Sequence, residues 1–261
     1  MVLEKYEYSV VEPGTGAYAE YLALRHAVFC EELGRIVPAG RRVRGLAIES
    51  DDYDVHSVHV LCRLKESGVA VGCSRLILPG PKGLNVNARY TLSCAPESPA
   101  GQVGEIGRLA LSSSLRRHRA EGSSIGGRRQ ALSTMGDSGH SMLKREGPVV
   151  ALGLYREMFN LANRYGITHC YAAMEPALAR LLNRLGFPFH EAGPLNTNVT
   201  PARQPYLIGA YAARAGLAAR NSCLYRFMFG GEDVGPQVMT TSATWRVAAE
   251  PRPHRGLGLH I

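Results

Sequence analysis

Two groups of polar residues stand among strand-like apolar runs. Glu105 and Arg108 lie in GEIGRLALS, residues 104–112, which reads as a β-strand. A carboxylate on a central strand can have its pKa raised by burial, and such a group can accept a proton directly or through a water. Residues three apart on a strand point to opposite faces unless a bulge re-aims one, so Glu105 and Arg108 can equally pair with separate polar neighbours. Gly104 and Gly107 leave room for such a bulge. Arg25, Asp51, Asp54 and Arg75 form the second group. Its carboxylates could hold a ligand amine and an arginine could clamp a carboxylate with two hydrogen bonds. A structural ion network on a sheet face explains the same residues as well. Phe29 suits either a core position or the wall of a ligand tunnel, and both hold if the core lines the tunnel.

Other chemistries fit less well. Cys30 near His26, Cys62 near His59 and Cys170 beside His169 offer thiol–imidazole pairs without a local catalytic signature, and these cysteines read better as small buried hydrophobes. His56 and His59 with Asp51 and Asp54 lack the tight spacing of a closed metal site, so no metal is expected. The six cysteines lie far apart, which suits a reducing cytoplasm better than a disulfide scaffold.

The elements that must position these residues follow from periodicity. Residues 18–33 (YAEYLALRHAVFCEEL) predict an amphipathic helix that breaks at Gly34. Residues 57–64 and 69–78 predict two strands of a hairpin around Gly68, the start of an antiparallel meander that 104–112 extends. A helix is expected over 149–165, ended by Gly166, then a strand over 168–174 and a helix over 176–185 that starts at Pro176 and stops at Gly186. Residues 188–191 and 205–211 read as closing strands. Strands first, then helix, strand, helix, strand, is an α+β order with a mixed sheet.

Residues 113–147 break the pattern. They are rich in Ser, Gly and Arg and predict a basic, flexible insertion, while residues 248–261 predict an unpacked C-terminal tail; residues 1–247 otherwise read as one domain. Arg116, Arg117, Arg119, Arg128, Arg129, Lys144 and Arg145 outnumber Glu121, Asp137 and Glu146 there. With a formal net charge of +8 over 261 residues, the chain is attracted to polyanions. Its arginines are not interleaved with aromatic residues, which tells against single-strand nucleic-acid binding. No long apolar run predicts a membrane span, and the N-terminus lacks the pattern of a signal peptide.

The order of these motifs resembles a known family. Arg25 and Phe29 in the first helix, Asp51 and Asp54 before a strand, Gly72 to Arg75 in the next, and Glu105 to Arg108 in the one after are similar to acyl-homoserine-lactone (autoinducer) synthases of the GNAT superfamily. The segment YAAMEPALARLLNRLGFPFHEAGP, followed by Arg203, Pro205 and Tyr206, resembles N-acyl amino acid synthases and the acyltransferases associated with PEP-CTERM/exosortase sorting systems. The resemblance implies a three-layer α/β/α GNAT-like fold around a mixed, splayed sheet. It implies a bacterial acyltransferase that moves an acyl chain from a carrier thioester to an amine, without a covalent enzyme intermediate or a permanently bound cofactor.

Glu105 and Arg108 would then be catalytic; Arg25, Phe29, Asp51, Asp54 and Arg75 would bind substrate; and Arg116, Arg117, Arg119, Arg128 and Arg129 would dock an acidic acyl carrier protein. The sequence departs from the family in two places. No tryptophan follows Phe29, since Trp245 is the only one, which tells against the usual lactone-forming reaction. The loop that grips the pyrophosphate of coenzyme A in GNAT enzymes does not follow Leu111, where residues 112–119 read SSSLRRHR. An acyl-phosphopantetheine arm on a carrier protein is therefore expected as donor, or else acyl-coenzyme A; the alternative functions are a plain acetyl-coenzyme A-dependent acetyltransferase or a non-enzymatic nucleic-acid-binding protein.

Overall fold

The computed structural model describes residues 2–96, 98–99, 102–115, 138–230 and 245–247. The chain opens with an edge strand, β1 (Tyr6–Val11), whose ends Tyr6 and Val11 are buried. Helix α1 (Gly16–His26) starts at Thr15, whose hydroxyl caps the Tyr18 N–H at 3.1 Å. It runs into a π-helical turn, Ala27–Glu32, that carries Phe29. A short ribbon, β2 (Arg42–Val43) and β3 (Leu46–Ala47), leads to the meander strands β4 (Ser57–Leu64) and β5 (Ala70–Ile77). The helical turn α2 (Asn85–Arg89) and β6 (Cys94–Pro96) precede the central strand β7 (Val103–Leu111).

Helix α3 (Ser138–Arg164) then crosses to β8 (His169–Met174), which is followed by α4 (Pro176–Leu185), β9 (His190–Glu191) and β10 (Gln204–Gly209). Helices α5 (Ala210–Arg220) and α6 (Ser222–Phe229) follow, and β11 (Trp245–Val247) pairs with β6. The expected strand over 205–211 thus ends at Gly209, where Ala-rich α5 takes over.

Seven strands form one sheet in the order β1-β4-β5-β7-β8-β10-β9. All neighbours are antiparallel except β7 and β8, whose parallel pairing needs the crossover through α3. Val150, Leu154 and Met158 of α3 pack on Val60, Val71, Leu76 and Ile106 beneath one sheet face. The opposite face is covered by α1 and the π turn over Leu61, Cys73 and Ala110, and by α2 over Ile77, Tyr171 and Leu207. The result is an α+β, three-layer, GNAT-like fold.

Helix α3 begins earlier than its sequence predicts. The pattern places its start at Val149, after Pro148, yet the helical backbone runs through Gly147 and Pro148 back to Ser138. Glu146 supplies the reason: it is buried, takes a 2.8 Å bond from Lys5 Nζ and accepts from the Tyr6 hydroxyl. That anchor ties the turn ahead of Pro148 to the beginning of β1, so residues 138–147 of the expected loose segment are helical. Residues 116–137, with Arg116, Arg117, Arg119, Arg128 and Arg129, and the tail 248–261 lie outside the described residues.

Two irregularities in β7 shape the site. Between its pairs Ala110–Cys73 and Gly107–Arg75, β7 has two residues, Arg108 and Leu109, opposite the single Ser74 of β5. This is a β-bulge, and Arg108 sits in it with a left-handed φ of 51°. On the other edge, β7 pairs with β8 only from Val103–His169 to Glu105–Tyr171. Beyond Glu105 the two strands separate into a splay.

Candidate active site at the splay of the central strands

Register places the polar residues in adjoining rows on the α1–α2 face. Ser57, Ile77, Glu105, Tyr171 and Leu207 align across β4, β5, β7, β8 and β10, and the next row holds His59, Arg75 and Gly107. Glu105 therefore sits where the parallel pairing ends and the splay opens. It is 3% exposed, with Oε1 accepting from Asn85 Nδ2 at 3.1 Å and Oε2 from the Val86 N–H at 2.7 Å. Burial raises its pKa above the ordinary carboxylate value, against the opposing pull of those two hydrogen bonds and of Arg75 and Arg108.

The bulge re-aims Arg108 onto the same face as Glu105, but the two do not pair. Arg108 instead reaches Glu49 (Nε to Oε2 3.1 Å, Nη2 to Oε1 3.0 Å) and Asp51 (Nη2 to Oδ2 2.8 Å), with its guanidinium 5.9 Å from the centre of the buried Phe29 ring. Arg75 forks onto Asp51 (2.6 and 2.8 Å) and also reaches Asp54 at 2.6 Å. Arg25 holds Glu49 at 2.5 Å and Asp54 at 2.6 Å. Three arginines and three carboxylates thus form a closed, charge-balanced network. Glu49, unmarked in the sequence by any motif, is the member that joins Arg25 to Arg108.

The candidate residues divide by depth. Arg25 is fully buried and its donors go to Glu49, Asp54 and the Tyr21 hydroxyl. A reach from Arg25 to a ligand carboxylate, one of the sequence expectations, is closed off by that burial; Arg25 and the buried Asp54 hold other side chains in place. Asp51 and Arg108 keep 19% and 14% of their side-chain surface exposed, so the network meets the cleft through them. Despite their burial, the arginines hold the Asp51 carboxyl well below the usual range and lower that of Asp54. Arg75 Nε is buried without a hydrogen-bond partner among the described residues, beside Gly107.

His59 supports the network from β4. Its Nε2 lies 3.1 Å from the Asp54 carbonyl oxygen and so carries the proton there, while Tyr18 and Tyr21 pack against the ring. Burial pushes its pKa down to about 4. Because that value lies below the unfolded one, the folded state prefers neutral His59, and the stability it confers is full above pH 6.5. It should fall by about 3 kcal/mol as pH drops from roughly 6.5 to 4. Urea unfolding at pH 7 and pH 5 should show the loss, and His59→Gln should flatten it within this window; an unchanged slope in the variant would remove His59 as its source.

The buried thiols are not set up as nucleophiles. Cys62, Cys73 and Cys170 are buried, and burial pushes each thiol up to about 12, opposite to the shift that activates a cysteine. Among the described residues no group of three His, Cys, Asp or Glu is arranged to hold a metal ion, and no helix is long and apolar enough to cross a membrane.

Comparison with known proteins agrees with this geometry. Residues 24–123, from α1 through β7, match the GNAT acetyltransferase domain family. The chain is 22% identical over 194 residues to an acyl-homoserine-lactone synthase of Vibrio anguillarum, covering 74% of this chain and 85% of that protein. Its fold is similar to FeeM, an N-acyl amino acid synthase from uncultured soil microbes (TM-score 0.52, 13% identity, 85% of this chain and 98% of the other). It is also similar to BjaI, a coenzyme A-dependent acyl-homoserine lactone synthase solved with MTA (TM-score 0.55, 18% identity, 84% and 89%). Residues 24–123 thus carry the match to a GNAT acetyltransferase domain, and the fold, with its bulged and splayed central strand, is similar to that of acyl-homoserine-lactone and N-acyl amino acid synthases.

Proposed function

We propose that the protein is an N-acyltransferase that moves a fatty acyl chain from the phosphopantetheine thioester of an acyl carrier protein to the amine of an amino acid or related metabolite. The observation that carries this reading is Glu105, a buried carboxylate with a raised pKa at the point where β7 and β8 part. The amine nitrogen attacks the thioester carbon, the C–S bond breaks, and the phosphopantetheine sulfur leaves as thiol. Glu105 takes the amine proton, directly or through a water, and returns it to the departing sulfur, which regenerates the carboxylate. No covalent enzyme intermediate is formed.

Positioning supplies much of the rate in such a reaction. The pantetheine arm would lie in the splay, where the β8-facing edge of β7 beyond Glu105 has no strand partner among the described residues. Backbone N–H groups on that edge would polarise the thioester oxygen. The acyl chain would pass toward the α3 side, where Ile106, Met158, Ala162, Ile167 and Cys170 line a small apolar recess. Arg108, Asp51 and Phe29 would wall the acceptor side, with Arg25, Arg75 and Asp54 holding them. Arg116, Arg117, Arg119, Arg128 and Arg129 would draw in the acidic carrier in the cytoplasm, where acyl carriers are charged.

Acyl-coenzyme A is the second donor to consider, favoured by the likeness to a coenzyme A-dependent synthase and by the GNAT acetyltransferase match. The test is mass spectrometry of reactions holding purified protein, a mixture of amino acids and one of three donors: long-chain acyl carrier protein, the matching acyl-coenzyme A, or acetyl-coenzyme A. An N-acyl product from the carrier is expected, and deleting residues 116–137 should raise the apparent KM for carrier while leaving kcat largely intact. Product from a coenzyme A thioester alone would move the donor to the second reading. No product from any donor, with salt-sensitive retention on heparin, would favour a nucleic-acid-binding protein instead.

A further inference from the structure

The arginines of the network are already ion-paired. Arg25, Arg75 and Arg108 are each bonded to two of Glu49, Asp51 and Asp54, with Arg75 Nε left unpartnered but buried beside Gly107, and Arg35 pairs with Glu175 at 3.2 Å. Arg203 is different. Its half-buried guanidinium has neither a hydrogen bond nor an ion pair among the described residues. It lies within electrostatic range of Arg35, Tyr90, Glu175 and Arg108, and burial together with Arg35 lowers its pKa. The one carboxylate in that set, Glu175, is bonded to Arg35. A cation taken partly out of water without a counter-charge is costly, and a bound anion removes the cost.

Its place in the fold is fixed by the backbone. Arg203 exchanges both hydrogen bonds with Asn196 (2.8 and 3.1 Å) just before β10 begins. It is in phase with Pro205 and Leu207, and Leu207 shares the row of Glu105 and Tyr171. Since Gln204 pairs with Met174 at the C-terminal end of β8, Arg203 stands at the open mouth of the splay. The Ser93 N–H bonds the Ala192 carbonyl at 2.8 Å, and a side chain at Gly193 would strike both Thr91 and Pro205. These contacts hold the loop after α2 beside the entry to β10. Tyr90, at the head of that loop, comes within electrostatic range of both Arg203 and Glu105.

We infer that Arg203 binds a carboxylate on the amine acceptor, so that one small molecule presents its amine to Glu105 and its carboxylate to Arg203. This rests on the acyl-transfer reading and narrows its acceptors to amino acids and other amines with a nearby carboxylate. Simple amines, and acceptors whose carboxylate is blocked as an amide, are poor substrates.

The probe is product-like: a panel of N-dodecanoyl amino acids and the matching N-dodecanoyl amino acid amides, with binding measured by calorimetry on the full chain. For wild type, at least one free acid should bind roughly tenfold to a hundredfold tighter than its amide, the range expected of a charge-assisted pair. Arg203→Ala should erase that preference and leave the amide Kd unchanged, with Arg203→Lys restoring part of it. Equal binding of acid and amide by wild type, or an equal loss of both in Arg203→Ala, would overturn the assignment while leaving acyl transfer standing. If neither ligand binds wild type, the acyl-transfer reading fails and this inference with it.

Discussion

Glu105→Gln is expected to lower turnover by about a hundredfold or more with the fold intact, because proton acceptance by a positioned base contributes on that scale. Glutamine keeps the length of the side chain and an oxygen for the Val86 N–H, which now bonds Glu105 Oε2 at 2.7 Å. Its amide NH2 would meet the Asn85 Nδ2 donor, whose own Oδ1 is held by Arg89 Nε at 2.9 Å. One hydrogen bond is therefore strained or lost, at a cost of about 1 kcal/mol, while the desolvation of a buried carboxylate is relieved. The melting temperature should move little. Single-turnover acyl transfer then separates chemistry from binding.

The pH profile adds an independent readout. Since burial raises the Glu105 pKa, the wild-type rate should climb with pH through an inflection above the ordinary carboxylate value and level off once the group is ionised. In Glu105→Gln that limb should vanish. A folded variant with a normal rate and an unchanged profile would take Glu105 out of proton transfer and leave positioning alone to explain the reaction.

How far the sequence reaches depends on what each signal encodes. The meander strands and α4 are legible because one face of each is apolar at a clear period, and α4 is bracketed by Pro176 and Gly186, with Gly186 at a left-handed φ of 109°. The edge strand β1 is not legible in YEYSVV, where only the two ends are buried. Helix α5 is not legible in AYAARAGLAAR, whose buried residues are only Ala213 and Leu217.

The site shows the same division. Glycine at 107 signals a bulge, but the residue that takes the left-handed conformation is Arg108, and this is what turns its side chain toward Glu49 and Asp51. A non-glycine residue at positive φ is uncommon, and here the strain coincides with a residue at the cleft. Glu49, Tyr90 and Arg203 lie outside the regular core strands, and their placement follows from register and loop packing across sequence separations that no local pattern records. Chemistry-bearing residue types were readable; which arginines would be saturated and which left open was not.

That saturation makes Arg75→Met the second large effect, this time on stability. The substitution removes the cation bonded to both Asp51 and Asp54 and leaves buried negative charge behind, which costs about 3–5 kcal/mol in comparable pairs. For a domain of this size the melting temperature at pH 7 should drop by roughly 10 °C. Arg108→Met should cost less, since Glu49 keeps Arg25, Asp51 keeps Arg75, and the removed side chain is already partly in water. The electrostatic origin can be checked by its sign. In wild type the depressed Asp51 and Asp54 pKa values mean that their stabilisation is present above the unfolded carboxylate pKa and is lost only as pH falls through the lower folded values. In Arg75→Met, Asp51 keeps only Arg108 and Asp54 only Arg25, so both carboxyls titrate higher than in wild type and the variant loses less stability on protonation. The stability difference between the two proteins should therefore shrink as pH falls from 7 through the carboxylate range. A difference that stays constant over that range would mean that lost packing of the Arg75 side chain, and not the unbalanced carboxylates, carries the penalty.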